Sequence, residues 1–169
     1  MIIDIKRAYF YAPAQQAIYV KLPPEDPKSQ DPALCGRLRQ SLYGTRDAGA
    51  NWHIAYTKFL QRIGYVQGTA NPCHFISSDK QVKGVVHGDD FMFSGTYADL
   101  IKLRQSFEKE YDCKVEIIGN ESNLPKSARF LNRVVTFTPS GTELEAEQRP
   151  IEALIHDLQL LGSKPSDIP

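Results

Sequence analysis

The chain has 169 residues, 41% of them hydrophobic and 24% charged, which suits one soluble globular domain with a buried core. Its 20 Lys and Arg balance 20 Asp and Glu, so it carries no net charge; this argues against a uniformly basic nucleic-acid binder. Only local basic patches remain, at Lys6-Arg7, Arg37/Arg39/Arg46 and Lys102/Arg104/Lys109. The three cysteines, Cys35, Cys73 and Cys113, are odd in number, widely spaced and free of any Cys-x-x-Cys, which argues against a disulfide framework or zinc knuckle and for a reducing compartment.

Met1-Ile2-Ile3-Asp4-Ile5 reads as a short apolar strand with Asp4 near its end, followed by Ala8-Tyr9-Phe10. After a bend at Ala12 to Gln16, Ala17 to Leu22 reads as a strand. Pro23 to Pro32, with four prolines, reads as a polar surface loop. Leu34 to Leu42 alternates apolar and basic residues, as a half-buried strand does. From Asp47 to Ile63 the residues Trp52, Ala55, Tyr56, Phe59, Leu60 and Ile63 form a helical stripe, and Gly64 is placed to end it. His74 to Ile76 and Val82 to Val86 predict strands joined through Ser77 to Lys80.

Tyr97 to Tyr111 predicts a second amphipathic helix with Leu100, Leu103, Phe107 and Tyr111 on one face. Lys114 to Ile118 and Arg129 to Phe137 predict further strands, separated by a loop at Gly119 to Asn123. A turn follows at Pro139 to Gly141. Pro150 can open a last helix with apolar Ile151, Leu154, Ile155, Leu158 and Leu161, closed by Gly162 and Pro165. The apolar faces of all three helices are expected to be buried. No window approaches 18 apolar residues, and no charged stretch followed by an apolar run marks a leader peptide.

The most informative segment is Val86-His87-Gly88-Asp89-Asp90-Phe91-Met92-Phe93, an adjacent acid pair at the tip of an otherwise apolar hairpin. Neighbouring carboxylates in such a setting repel one another and lose hydration, and a divalent cation removes both penalties. A plain polar hairpin turn fits the octet equally well, since Gly-Asp favours turns. A third carboxylate, Asp4, sits in a similar setting. Two adjacent strands carrying Asp4 and the Gly-Asp-Asp turn could hold two magnesium ions roughly 3.5–4 Å apart, the clamp used for in-line phosphoryl transfer.

The order strand, helix, strand–turn–strand, helix, strand predicts an α+β fold of the ferredoxin-like, split βαβ kind, with an antiparallel sheet and helices on one face. Polymerase palms use this layout. Many unrelated proteins share it, so fold alone does not give function.

Taken together, several segments resemble the reverse transcriptase of copia-type LTR retrotransposons. The first motif is Asp4 with Ala8-Tyr9-Phe10, then Ile18-Tyr19-Val20-Lys21-Leu22-Pro23. The second is Ser41-Leu42-Tyr43-Gly44-Thr45-Arg46-Asp47-Ala48 with Trp52, followed by Phe59-Leu60, Gly64-Tyr65 and Asn71-Pro72-Cys73-His74-Phe75. The third is the Asp89-Asp90 hairpin. Phe130-Leu131-Asn132-Arg133-Val134-Val135 is similar to the strand that follows in the family, and Glu147-Gln148 with the last helix resembles the start of the thumb.

The resemblance implies a polymerase palm over residues 1–145, with a partial fingers insertion at about 17–45, and the start of a thumb over 146–169. It implies RNA- and DNA-templated DNA synthesis with two Mg2+ ions, Mn2+ being the alternative, held by Asp4, Asp89 and Asp90. It casts Tyr9 as an aromatic steric gate against a ribose 2′-hydroxyl and Tyr43 and Gly44 as nucleotide-binding; a core aromatic is the other reading of Tyr9. Arg46, Asn132 and Arg133 would contact nucleic acid, a plain surface role being the other reading of Arg46. The implied partners are template, primer, deoxynucleoside triphosphates and the rest of a Pol polyprotein with its RNase H and integrase, in an intracellular setting (cytoplasmic virus-like particle or nucleus) without a membrane.

Four positions depart from the family pattern. His87-Gly88 replaces the usual Tyr-Val or Tyr-Met, Gly49 replaces a Pro, Asn132-Arg133 replaces Gly-x, and Glu143 to Glu147 is acidic. Asp4 is almost the first residue, whereas the family's triphosphate-holding fingers strands precede its first motif, so the chain reads as a fragment with little or no polymerase activity alone. Three other classes compete: an inactive retrotransposon remnant; another palm enzyme, such as a viral RNA polymerase or a nucleotide cyclase; and an RNA-binding domain of similar topology, although this sequence does not show the paired aromatics in a basic-aromatic strand that such domains use.

Overall fold

The computed structural model describes residues 1–145 and 148–163 and divides into two compact units, Met1–Ile117 and Ile118–Pro169. The first unit contains β1 (Ile2–Ile5), β2 (Tyr19–Val20), β3 (Gly36–Arg37), α1 (Ala48–Arg62), β4 (Tyr65–Gln67), β5 (His74–Ser77), β6 (Lys83–His87), β7 (Asp90–Ser94), α2 (Tyr97–Glu110) and β8 (Cys113–Glu116). Six of these strands form one sheet in the order β4-β5-β6-β7-β1-β8, with every neighbouring pair antiparallel. Within it β1 lies between β7 and β8, α1 leads into the edge strand β4, and α2 links β7 to β8. The expected mixed architecture on an antiparallel sheet is thus observed.

Side-chain alternation decides which face the helices cover. Ile3, Ile5, Val86, Phe91 and Phe93 point to one side and are buried. The stripes of α1 and α2 pack there through edge-on aromatic contacts, which suit the quadrupoles of the rings. Phe107 of α2 meets Phe59 of α1 at 5.0 Å and Phe91 of β7 at 5.3 Å. Tyr56 meets Phe91 at 5.4 Å. One glycine makes room for this core: a Cβ on Gly84 would lie 2.2 Å from Cε1 of Phe93, its cross-strand partner.

Local chemistry sets the helix ends. The buried Asn51 amide donates to Ser41 Oγ and Asp47 Oδ2, both at 3.0 Å, tying the start of α1 to the preceding loop. Gly64 takes the left-handed conformation (φ 90°) that closes α1, as its position in the sequence predicts. Thr96 caps α2 by accepting the Asp99 N–H and donating to Asp99 Oδ2. Gln67 Nε2 donates to the Pro72 carbonyl at 2.8 Å and meets His53 Nε2 at 3.2 Å. His53 Nδ1 shares a 2.6 Å hydrogen bond with the Tyr56 hydroxyl within α1, so His53, through Gln67, links α1 to β4.

Two expected strands shrink. Ala17 to Leu22 pairs only at Tyr19–Val20, and Leu34 to Leu42 only at Gly36–Arg37 with one further bridge from Gln40 to Pro13. Leu34 and Tyr19 are exposed, so this excursion has no apolar surface against which alternation could be exploited. The short β4 was not anticipated; three residues directly after a helix carry too little period to be read.

The second unit contains β9 (Ser127–Phe130), β10 (Arg133–Thr138), β11 (Gly141–Leu144) and α3 (Gln148–Asp157), with a sheet in the order β11-β10-β9. The single strand expected from Arg129 to Phe137 is instead a hairpin. Leu131 and Asn132 both have positive φ, 49° and 63°, forming a two-residue turn of the type that matches strand twist. Leu at such a position gives no sequence signal for that turn.

The expectation that all three helices bury apolar faces fails for α3. Ile151, Leu154 and Leu158 are exposed, and among the described residues of this unit the buried apolar ones lie in β9 and β10. The expected thumb start at Glu147 and the helix-closing Pro165 lie outside the described residues. Among the described residues, no helix is long and apolar enough to cross a membrane.

The close approach at Gly84 generates a test. Gly84→Ala is expected to lower stability by about 1–3 kcal/mol through overpacking against Phe93, read as a lower urea midpoint with an unchanged m-value. Gly49→Ala, in α1 with open space around its Cβ, is expected to be neutral or stabilising by about 0.5–1 kcal/mol.

Candidate active site

β6 and β7 are joined by Gly88 and Asp89, and the His87–Asp90 pair closes the hairpin. Gly88 sits at φ 64°, a turn conformation that side chains resist. The Gly88 carbonyl accepts a 2.8 Å hydrogen bond from the indole N–H of Trp52 in α1. Trp52 is buried and packs against Tyr56, Phe91 and Tyr111, so the acidic turn rests on the aromatic core.

β1 pairs with β7 so that Asp4 stands directly opposite Asp90, and the Ile5 N–H donates to the Asp89 carbonyl at 3.3 Å. Ile3, Ile5 and Phe91 occupy the helix-covered face, so Asp4 and Asp90 share the other one. The same register places Lys114 beside Asp4 and His87 beside Asp90. One row across the sheet therefore reads Lys114, Asp4, Asp90, His87. Sequence reasoning placed the three acids together; it missed Lys114, because only strand pairing brings that residue to the row.

The electrostatics are those of concentrated negative charge. Burial pushes the Asp90 carboxyl above its usual range, the charges of Asp89 and Asp4 push it further, and His87 opposes them. Lys114 is raised by its hydrogen bond to Glu116, at 2.6 Å, by that residue's charge and by Asp4. Among the described residues no three His, Cys, Asp or Glu side chains are close enough to hold a metal ion as placed. The row supplies the oxygen donors and the unrelieved charge that a hard divalent cation would neutralise, but its carboxylates would have to turn inward to share one.

The remaining predicted residues fall into two groups. Tyr9, half-buried on a short 3-10 turn (Ala8–Tyr11), stacks at a tilt on Tyr43 with 4.4 Å between ring centroids, and Phe10 meets Tyr43 edge-on at 5.8 Å. Tyr43 is raised by burial and then by the charge of Asp89, with the Ala8 and Tyr9 amides opposing, which sets its hydroxyl near the acidic turn. Gly44 has φ 85° and open space around it, so backbone conformation alone demands a glycine there. Arg46 is exposed and makes no hydrogen bond or ion pair among the described residues. Asn132 and Arg133 are exposed at the β9–β10 turn of the second unit.

A family model for reverse transcriptase (RNA-dependent DNA polymerase) matches residues 1–169. The chain belongs to the reverse transcriptase family. This reverse transcriptase domain is 31% identical over 123 residues, 72% of its length, to the truncated transposon Ty1-A Gag-Pol polyprotein of Saccharomyces cerevisiae, covering 10% of that polyprotein. It is also 31% identical over 123 residues to the transposon Ty1-DR5 and Ty1-LR2 Gag-Pol polyproteins of the same yeast, covering 7% of each. The chain thus spans a tenth or less of the length of these curated relatives. The resemblance to copia-type reverse transcriptases is borne out at the level of the family.

Two predictions follow from the hairpin's support and charge. Trp52→Phe keeps an aromatic ring but removes the bond to Gly88, and is expected to cost about 1–3 kcal/mol, with faster amide exchange at Gly88 to Phe91. Asp90→Asn is expected to raise stability at pH 7. The folded carboxyl has a raised pKa, so the folded state binds the extra proton as pH falls, and ionisation at neutral pH costs stability. The gain should therefore vanish below the ordinary value of 3.8, where both states are protonated. Thermal melts of both proteins from pH 3 to pH 8 check it.

Proposed function

We propose that this chain is the palm of an RNA-directed DNA polymerase, with a partial fingers excursion near residues 17–45 and the beginning of a thumb from about residue 146, and that it works within a longer Pol polyprotein. The observation that carries this reading is the register of β1 on β7, which sets Asp4 against Asp90 on the sheet face away from α1 and α2, beside the Asp89 turn. Membership of the reverse transcriptase family supports the reaction class.

Asp4, Asp89 and Asp90 would hold two Mg2+ ions, or Mn2+ in their place. Bound there, the ions supply charge neutralisation between an attacking primer hydroxyl and a deoxynucleoside triphosphate, and stabilise the departing pyrophosphate. The residues of the chain do the rest. Trp52 holds the turn that presents Asp89, and burial against the sheet keeps Asp90 poised to gain from a cation. Tyr9, braced by Tyr43, forms the wall against which a ribose 2′-hydroxyl would clash, favouring deoxynucleotides. Gly44 sets the backbone path that carries Tyr43. Arg46 supplies a free cation for a phosphate, and Asn132 and Arg133 offer donors to the primer strand. The setting is intracellular, with template, primer, RNase H and integrase as partners.

Primer extension on an RNA template with deoxynucleotides and Mg2+ tests the reaction, and Asp89→Asn is expected to abolish whatever extension occurs. Because the chain alone is expected to extend primers poorly, Mn2+-induced NMR line broadening supplies a second readout. Broadening centred on residues 3–5 and 88–91, and lost in Asp4→Asn and Asp89→Asn, is the expected result. Broadening that survives both substitutions would sink the metal assignment.

A further inference from the structure

Among the described residues the buried polar side chains are Ser41 and Asn51, 2% and 5% exposed, and they bond each other. A buried hydroxyl and a buried amide are costly unless paired, so their contact constrains what can move around them. The Asn51 amide nitrogen, at the start of α1, donates to Ser41 Oγ and to Asp47 Oδ2, both at 3.0 Å. These two acceptors bracket the segment 42–46, which carries Tyr43 and Gly44. Inside the bracket the segment folds on itself: Thr45 donates to the Leu42 carbonyl through its N–H, at 3.1 Å, and through its hydroxyl, at 2.8 Å. One side chain thus closes both ends of the loop that presents the Tyr43 ring.

The same side chain reaches Tyr9 from the other direction. The Ser41 N–H donates to the carbonyl of the fully buried Ala12 at 2.8 Å, and the Ala12 N–H donates to the Tyr9 carbonyl at 3.1 Å. Tyr9 and Tyr43 are the stacked pair, with 4.4 Å between ring centroids. Tyr43 is exposed and Gly44 beside it has no side chain to pack, so burial does little to fix that ring. The anchors at Ser41 and Asp47 fix it instead.

We propose that Asn51 is a positioning residue for sugar discrimination: by holding Ser41 and Asp47 it sets Tyr43 against Tyr9, and so fixes where the Tyr9 ring stands relative to the 2′ position of an incoming nucleotide. The inference rests on the reading of Tyr9 as the wall against a ribose 2′-hydroxyl. Asn51 itself touches no substrate. A steric wall works only while it is held in place, and a displacement of about 1 Å caused from outside a site can change rates about a hundredfold.

NMR titrations of the 169-residue chain with dATP and with ATP, each with Mg2+, test the proposal, since the two ligands differ only at the 2′ position. The unaltered chain is expected to bind dATP the more tightly. Asn51→Leu keeps the side-chain volume and removes both donated bonds. It is expected to bring the ATP-to-dATP ratio of dissociation constants down about fivefold, and to weaken the NOEs between the Tyr9 and Tyr43 rings while those between Trp52 and Phe91 persist. A role confined to stability would lower the folded fraction and leave this ratio, read on the folded protein, where it was. Asp47→Asn keeps an acceptor oxygen and is expected to keep the ratio. Ser41→Ala removes one buried hydroxyl; it is expected to lower the ratio in the same direction and decides the matter should Asn51→Leu fail to fold. Discrimination that persists unchanged in both Asn51→Leu and Ser41→Ala overturns the proposal alone. Equal affinity for dATP and ATP in the unaltered chain, or saturable binding of neither, overturns the reading of Tyr9 and this proposal with it.

Discussion

The hydrogen bond from Trp52 to the Gly88 carbonyl is the joint on which the first unit depends. On one side of it is the aromatic core, where Trp52, Tyr56, Phe59, Phe91, Phe107 and Tyr111 meet edge to face. On the other side is a turn that leads into a half-buried acid pair. A hairpin tip holding like charges gains little from its own side chains. Its stability comes from below, through one indole N–H and through the burial of Phe91 directly after the acids. The core and the candidate active site are therefore one construction.

The same construction stores the charge. Alternation along β1 and β7 leaves no freedom: once Ile3, Ile5 and Phe91 are inside, Asp4 and Asp90 must stand side by side outside. A one-residue slip would bury both carboxylates, so the apolar residues enforce the register that concentrates the acids. Lys114 beside Asp4 and His87 beside Asp90 temper that concentration without cancelling it. A site of this kind destabilises its own fold modestly.

The second unit obeys a different balance. Its strands pair well, but its buried apolar residues are few, and α3 presents its leucines outward. A helix of that length gets most of its stability from packing rather than propensity. Its amphipathic pattern therefore marks an apolar face that nothing among the described residues of this unit covers.

The sequence by itself determined the elements whose signal is local and periodic: α1 from its Trp52-to-Ile63 stripe, α2 from Leu100 to Tyr111, the helix stop at Gly64, the Gly88 turn, and the family. The acid pair at the tip of an apolar hairpin, a third acid in a similar strand setting and the family resemblance also made Asp4, Asp89 and Asp90 the candidate acids. Tertiary structure decided the rest. It split Arg129 to Phe137 at Leu131 and Asn132, a turn whose residues do not announce it. It left the α3 stripe exposed, because periodicity shows that a face is apolar and not whether a partner exists. Only the folded sheet set Lys114 beside Asp4. Such neighbours are joined by strand pairing and packing across dozens of residues, and nothing in the local sequence encodes who will stand opposite whom.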